Sequence, residues 1–220
     1  NGKAGEDIQV TGSISNGYTG KSVTVAVVDS GLEIDHEDLS SNVALGGSYN
    51  FVDDSSDPTS SSSSGDHGTA VAGLIGSRGW NDLGGRGVAP KVSLKGFNFL
   101  KKPSMANHLA ALGGGEYAKD VDIFNMSYGS RADFDGRINS ALEAQLKNGT
   151  TVLRETKGAL YVKSAGNGFN SFKKKDGKAV RTNCKSANAA GISCQNANMD
   201  PGATTPYTII VGALNADGVK

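Results

Sequence analysis

The sequence predicts an α/β fold, with a mainly parallel sheet and helices on both of its faces. Short apolar runs rich in β-branched and aromatic residues alternate with segments of helical character, and that alternation is the signature of parallel strands joined by helical crossovers. The strand runs are residues 22–29 (SVTVAVVD), 91–97 (KVSLKGF), 121–126 (VDIFNM), 159–164 (ALYVKS) and 207–214 (YTIIVGAL). None keeps the strict alternation of a half-exposed strand, so the sheet is expected to be covered on both faces. Helical segments are expected at 68–76, around 105–112 and at 135–146.

With 220 residues and 37% hydrophobic content, the chain is of a size to build one substantial core, and a single domain over 1–220 is expected. The 22 basic residues are offset by 22 acidic ones, which leaves no basic stripe for phosphates and excludes nucleic acid as an expected partner. No apolar run approaches the roughly 20 residues that span a bilayer. The opening NGKAGED has no signal-peptide apolar region, so a soluble chain whose export signal has been removed is expected. The polar run 53–65 reads as a surface loop, because strand and helix signals flank it closely. Cys184 and Cys194 lie in a polar stretch with no further Cys or His nearby, which argues against a metal site. They read as a surface-loop disulfide of an oxidising compartment, with two free thiols as the alternative.

In an open parallel sheet, ligands bind beyond the carboxyl ends of the strands, so polar residues just after the apolar runs come first. Asp29 ends the first run. Alone it reads as a turn residue or helix cap, since Asp-Ser-Gly is good turn chemistry. His67 opens the segment DHGTAVAGLIG, whose glycines each cost about 1 kcal/mol of helix propensity, so this helix must be held by close packing. Such a helix would fix the imidazole at its first turn, whereas an isolated His-Gly would be a loop residue. Asn167 follows the run ALYVK within SAGNG. It is either an Asn-Gly turn or an amide donor aimed at developing negative charge. His36 and His108 lack comparable surroundings and are read as surface residues.

Taken in order, VAVVDSG, DHGTAVAGLI, NMSYGS and VKSAGNG resemble the catalytic domain of the subtilase family, over roughly residues 18–214. The resemblance implies the subtilisin-like three-layer sandwich and a secreted serine endopeptidase using an Asp-His-Ser triad. In that reading Asp29 orients and charge-stabilises His67, His67 is the general base, and Asn167 donates to the oxyanion. Ser127 and Gly129 would hydrogen-bond an extended polypeptide substrate through their backbone. GVAP resembles the family's entry into its next strand, and YNFVDD and the Ser193-Cys194 to Asp200 loop look closest to the kexin and furin-like branch, which selects Arg or Lys before the cut with carboxylates. Asp133 and Asp200 fall near the matching places.

The chain departs from that branch at Ser30, usually a second Asp, at Lys101-Lys102, usually acidic, and at Tyr128, usually Trp. The first two weaken any demand for further basic residues. The resemblance also implies a structural calcium, held by the side chains of Asp38 and Asn81 and the carbonyls of Arg78, Leu83 and Gly85. A propeptide or chaperone is a further implied partner. The family nucleophile stands in Gly-Thr-Ser-x-x-x-Pro, and no such motif occurs within residues 1–220. The chain therefore reads as an incomplete peptidase domain that needs a further segment carrying the Ser. The competing readings are a non-catalytic binding module on the same scaffold and a calcium-stabilised adhesion domain. A Gly-Thr-Ser beyond residue 220 would decide for the enzyme.

Overall fold

The computed structural model describes residues 5, 7–60, 66–129, 137–166, 172–175, 178–181 and 200–213. A short helix α1 (Thr11–Ser15) precedes strand β1 (Thr24–Val28), and then follow α2 (His67–Gly76), β2 (Ser93–Phe97), α3 (Met105–Leu109) and β3 (Ile123–Met126). Helix α4 (Ser140–Thr156), β4 (Leu160–Ser164), β5 (Phe172–Lys175), β6 (Lys178–Arg181) and β7 (Ile209–Val211) complete the order. Five strands form one sheet in the order β2-β1-β3-β4-β7, every pair parallel, while β5 and β6 form a separate antiparallel pair.

The layers follow from which side chains each strand sends to each face. Val25 and Val27 of β1, with Leu94 of β2, pack with Ala72 of α2 on one side. Ala26, Val28, Phe124 and Tyr161 point the other way, into a cluster with Ala111 and Leu112 after α3 and with Leu142, Leu146 and Leu153 of α4. The result is helix, sheet, helix, as the alternating pattern predicts. Close packing does hold the glycine-rich α2. A methyl at Gly76 would stand 2.5 Å from Val92, and one at Gly68 would collide with the Gly31 carbonyl oxygen, so larger residues cannot bring this helix so near β1 and β2.

Two expectations are corrected. Helix α4 begins at Ser140, where the Asn139 side chain accepts from the Ala141 N–H at 2.9 Å, and it runs on to Thr156. Leu142, Leu146 and Gly149 keep one buried face past the expected end, and the backbone leaves helical geometry at Leu153, Arg154 and Glu155. Coverage of the sheet is also incomplete. Strands β1 and β2 are buried along nearly their whole length, but β4 and β7 alternate. Leu160, Ile209 and Val211 lie on one face and are 53%, 51% and 51% exposed. Helix α2 does not reach that far across the sheet. Among the described residues no helix is long and apolar enough to cross a membrane.

Candidate active site

The strand order places β2 on one side of β1 and β3 on the other, so the chain's direction of travel across the sheet reverses between β1 and β3. A crevice opens beyond the carboxyl ends of the strands at such a point. Asp29 follows β1 there and Ser127 follows β3. A cavity of about 680 Å³ beside Lys119, Asp120 and Arg154 lies at the other end of the sheet and contains none of the candidate residues.

Asp29 is wholly buried, and its Oδ1 lies 2.8 Å from Nδ1 of His67, the first residue of α2. That oxygen also accepts the Ser30 N–H at 2.6 Å. The Ser30 hydroxyl in turn accepts the Gly68 N–H at 3.2 Å, which ties the start of α2 to the end of β1. Gly68 is required at this junction, because a methyl there would stand 2.9 Å from the Asp29 side chain. An Nδ1–H held by a carboxylate leaves Nε2 as the basic nitrogen of a neutral imidazole. The His67 side chain is 57% exposed, so this nitrogen can meet an incoming group. Oδ2 of Asp29 is buried without a partner among the described residues. The pair is thus built as a base with its orienting anion.

On the opposite side of the crevice, the Ser127 hydroxyl accepts from the Asn125 amide at 2.9 Å. A cavity of about 320 Å³ runs from Ser127 to Ser164, Ala165 and Gly166, the residues that lead to Asn167. Asn167 and Asp133 themselves, like Cys184 and Cys194, lie outside the described residues.

Next to Ser127, Tyr128 and Gly129 face a cavity of about 290 Å³ whose walls include Phe99, Leu112, Met126 and Leu146. Asp200 lies at this cavity, buried, with Oδ1 accepting the Gly202 N–H at 2.8 Å. Its Oδ2 is 3.4 Å from Nζ of Lys163, a residue that sequence reasoning passed over as part of a strand. His108 is not a surface residue. It is half-buried, its ring stacks on Phe99 with centroids 4.5 Å apart, and Nε2 lies 3.0 Å from the Tyr128 hydroxyl. Burial first, and then the Lys163 ammonium, push its pKa down to about 4, so it is neutral at ordinary pH. Burial first, and then the carboxylates of Asp29 and Asp200, push the Tyr128 phenol up. His36 is likewise half-buried, with Nδ1 accepting the Asp38 N–H at 3.1 Å.

Of the residues read as a calcium site, Asp38, Arg78, Asn81 and Gly85 come together in space. Asp38 is buried, its Oδ1 accepting from the Asn81 amide at 2.8 Å and its Oδ2 from the Gly85 N–H at 3.3 Å, while the Arg78 N–H donates to its carbonyl at 2.9 Å. The loop carrying Arg78, Asn81, Leu83 and Gly85 thus folds over one carboxylate, which has no cationic side chain against it among the described residues. Turning the Asn81 amide over would present its oxygen instead. No group of three or more His, Cys, Asp or Glu gathers among the described residues, so ligation here would rest on amide and carbonyl oxygens. That donor set fits a hard cation of flexible coordination.

Comparison with known proteins identifies the family. The Subtilase family description matches residues 20–218. The chain is 38% identical to the Aeromonas extracellular serine protease of Aeromonas sobria over 100% of its own length and 35% of that protein's. It is 32% identical to kexin of Saccharomyces cerevisiae, over 96% of its length and 23% of kexin's. The crystal structure of the Aeromonas sobria serine protease in complex with the chaperone ORF2 superposes with a TM-score of 0.81 at 34% identity, covering 100% of this chain and 36% of that one. The chain therefore spans about a third or less of the length of these relatives. With a matching description over most of the chain and a parallel sheet that sets Asp29 against His67, the chain belongs to the subtilase family.

Proposed function

We propose that the complete protein is a secreted serine endopeptidase in which His67 is the general base, Asp29 its orienting anion and Asn167 the oxyanion donor. The observation that carries this reading is the 2.8 Å contact between buried Asp29 and half-exposed His67 at the reversal point of the sheet. His67 would take the proton of a serine hydroxyl as it attacks the peptide carbonyl, and return it to the leaving amine. Asp29 holds Nδ1–H throughout, which keeps the tautomer correct and stabilises the imidazolium. The nucleophile would come from a segment outside these 220 residues. The open face around Leu160, Ile209 and Val211 offers that segment an apolar surface to cover. Secretion and a chaperone partner are drawn from the similarity to an extracellular protease whose structure was solved with its chaperone.

The substrate is a polypeptide bound in extended form along Ser127 and Gly129, with the side chain before the scissile bond entering the cavity beside Gly129. Asp200 at that cavity, with Asp133, supports a preference for Lys or Arg at this first position. Ser30 and Lys101-Lys102 support a weak demand at further positions. A peptide library digested by the complete enzyme is expected to show basic residues before the cut. A profile of large apolar residues there would remove the basic preference and leave the endopeptidase assignment standing.

Asp38 and Asn81, with the carbonyls of Arg78, Leu83 and Gly85, would hold a structural calcium that ties this loop to the residues after β1. Calcium supplies charge for the buried Asp38 carboxylate and takes no part in the reaction. A ligand at a hundred times its dissociation constant stabilises a fold by about 2.7 kcal/mol. Millimolar calcium is therefore expected to raise the melting temperature of the complete protein, and Asp38→Asn to abolish the rise. An equal response in the variant would show that any bound calcium sits elsewhere.

A further inference from the structure

We infer that Lys163 is a specificity-determining residue of the substrate pocket, a built-in cation that neutralises Asp200 and blunts the attraction of that carboxylate for a basic side chain of the substrate. This rests on the reading that the cavity beside Gly129 receives the residue before the scissile bond.

The placement follows from strand parity. Tyr161 and Lys163 of β4 point to the same face of the sheet, Tyr161 into the core against Phe124 and Lys163 one row further toward the carboxyl ends of the strands. The Lys163 side chain is only 6% exposed. Its stem is roofed by Gly202, where a methyl would stand 2.9 Å from Cε, and its ammonium lies against Gly129, where a methyl would stand 3.1 Å from Nζ and 2.8 Å from Asp200 Oδ2. The pair therefore sits directly under the glycine proposed to hold the substrate backbone. A side chain entering beside Gly129 meets Lys163 and Asp200 together.

The ammonium is held more tightly by its other partner. Nζ donates to the Tyr128 carbonyl at 2.6 Å, whereas the 3.4 Å to Asp200 is longer than the 2.7–2.9 Å usual for a charge-assisted bond. A substrate cation that reaches Asp200 must lie beside a fixed like charge. Juxtaposed like charges at an interface suppress a partner strongly. The Lys163 charge is already felt across the pocket, since it helps to lower the pKa of His108 and lies 5.9 Å from the centre of the Tyr128 ring. The apolar walls accept the aliphatic stem of Arg, Lys or norleucine alike, so the charged floor is what separates them.

The test uses the complete enzyme and two peptides that differ only in having Arg or norleucine before the cut. The readout is the ratio of their kcat/KM values. Lys163→Met and Lys163→Gln are each expected to raise the Arg to norleucine ratio by about tenfold or more, Lys163→Arg to leave it unchanged, and Asp200→Asn to lower it. Removing Lys163 alone takes a cation from beside a buried carboxylate and can prevent folding. The double variant K163M/D200N carries no such charge, and its ratio is expected about tenfold above that of D200N. In the folded, inhibited enzyme the His108 titration midpoint should also rise in the Lys163→Gln variant. Ratios and midpoint unmoved by neutralising Lys163, while D200N still lowers the ratio, would overturn the inference and leave the basic preference intact. A wild-type ratio below one that D200N does not change would overturn the basic preference itself, and the inference with it.

Discussion

In the complete protein, His67→Ala and Asp29→Asn are each expected to lower turnover by about 10²- to 10⁴-fold while leaving the fold in place. This is the span that positioned acid–base groups contribute. His67 is more than half exposed and its loss removes the only imidazole at the carboxyl end of β1 among the described residues. Asp29 is wholly buried, but Asn has its shape, and the Ser30 N–H can still donate to an amide oxygen. What Asn cannot do is hold Nδ1–H and balance an imidazolium, so the imidazole takes the wrong tautomer and Nε2 ceases to be a base. The losses should fall on kcat, and the double variant should be little worse than His67→Ala alone, because base and orienter act as a unit. Asn167→Ala should also lower kcat with KM nearly unchanged, since an oxyanion donor meets charge that exists only in the transition state. The check is steady-state kinetics alongside thermal melts. Wild-type turnover in His67→Ala would remove His67 from the chemistry, and a collapsed melt in Asp29→Asn would give Asp29 a structural role instead.

The fold and the Asp29–His67 pair were legible because both are written locally. Strand runs, the Asp at the end of the first, and a glycine-rich helix opening on His are contiguous signals, and the contact follows once β1 and α2 pack. Gly68 shows why the motif reads as it does: His-Gly after Asp-Ser-Gly is the pair of sequences that lets a helix start against the Gly31 carbonyl. The pocket was not legible in the same way. Lys163 lies in an apolar run and looks like a tolerated strand residue, because its partners Tyr128 and Asp200 come from distant loops. A Lys sharing the parity of Tyr161 in a buried strand was the one signal available. His108 was misread for the same reason, its short helix beginning with exposed Met105 while Phe99 and Tyr128 close over the ring. The Lys-rich pair β5 and β6 lacks apolar alternation, although the Asp176-Gly177 between its strands is a hairpin signal. The exposure of β4 and β7 depends on what lies over the sheet, which no strand sequence encodes.

Residues 1–220 alone are expected to hydrolyse no peptide and to take no label from a serine-directed fluorophosphonate, whereas the complete protein is expected to be labelled stoichiometrically outside them. His67 can activate a hydroxyl only within about 3 Å of its free nitrogen, and among the described residues Ser30 and Ser127 are engaged elsewhere. The Ser30 hydroxyl accepts the Gly68 N–H, and the Ser127 hydroxyl is held by Asn125 at the end of β3. The family's Gly-Thr-Ser-x-x-x-Pro does not occur in these residues. The uncovered face of β4 and β7 carries the same expectation into stability. Three large aliphatic side chains that are each about half exposed add to a surface that a soluble monomer normally covers, and covering apolar area is worth about 25 cal/mol per Å². The isolated chain should therefore bind a hydrophobic dye and melt well below the complete protein, and adding the nucleophile-bearing segment in trans should suppress dye binding and restore labelling together. Stoichiometric labelling inside residues 1–220 would place the nucleophile among them and overturn the split site. Loss of dye binding without labelling would leave the segment as a cover for the sheet and return the protein to a non-catalytic reading.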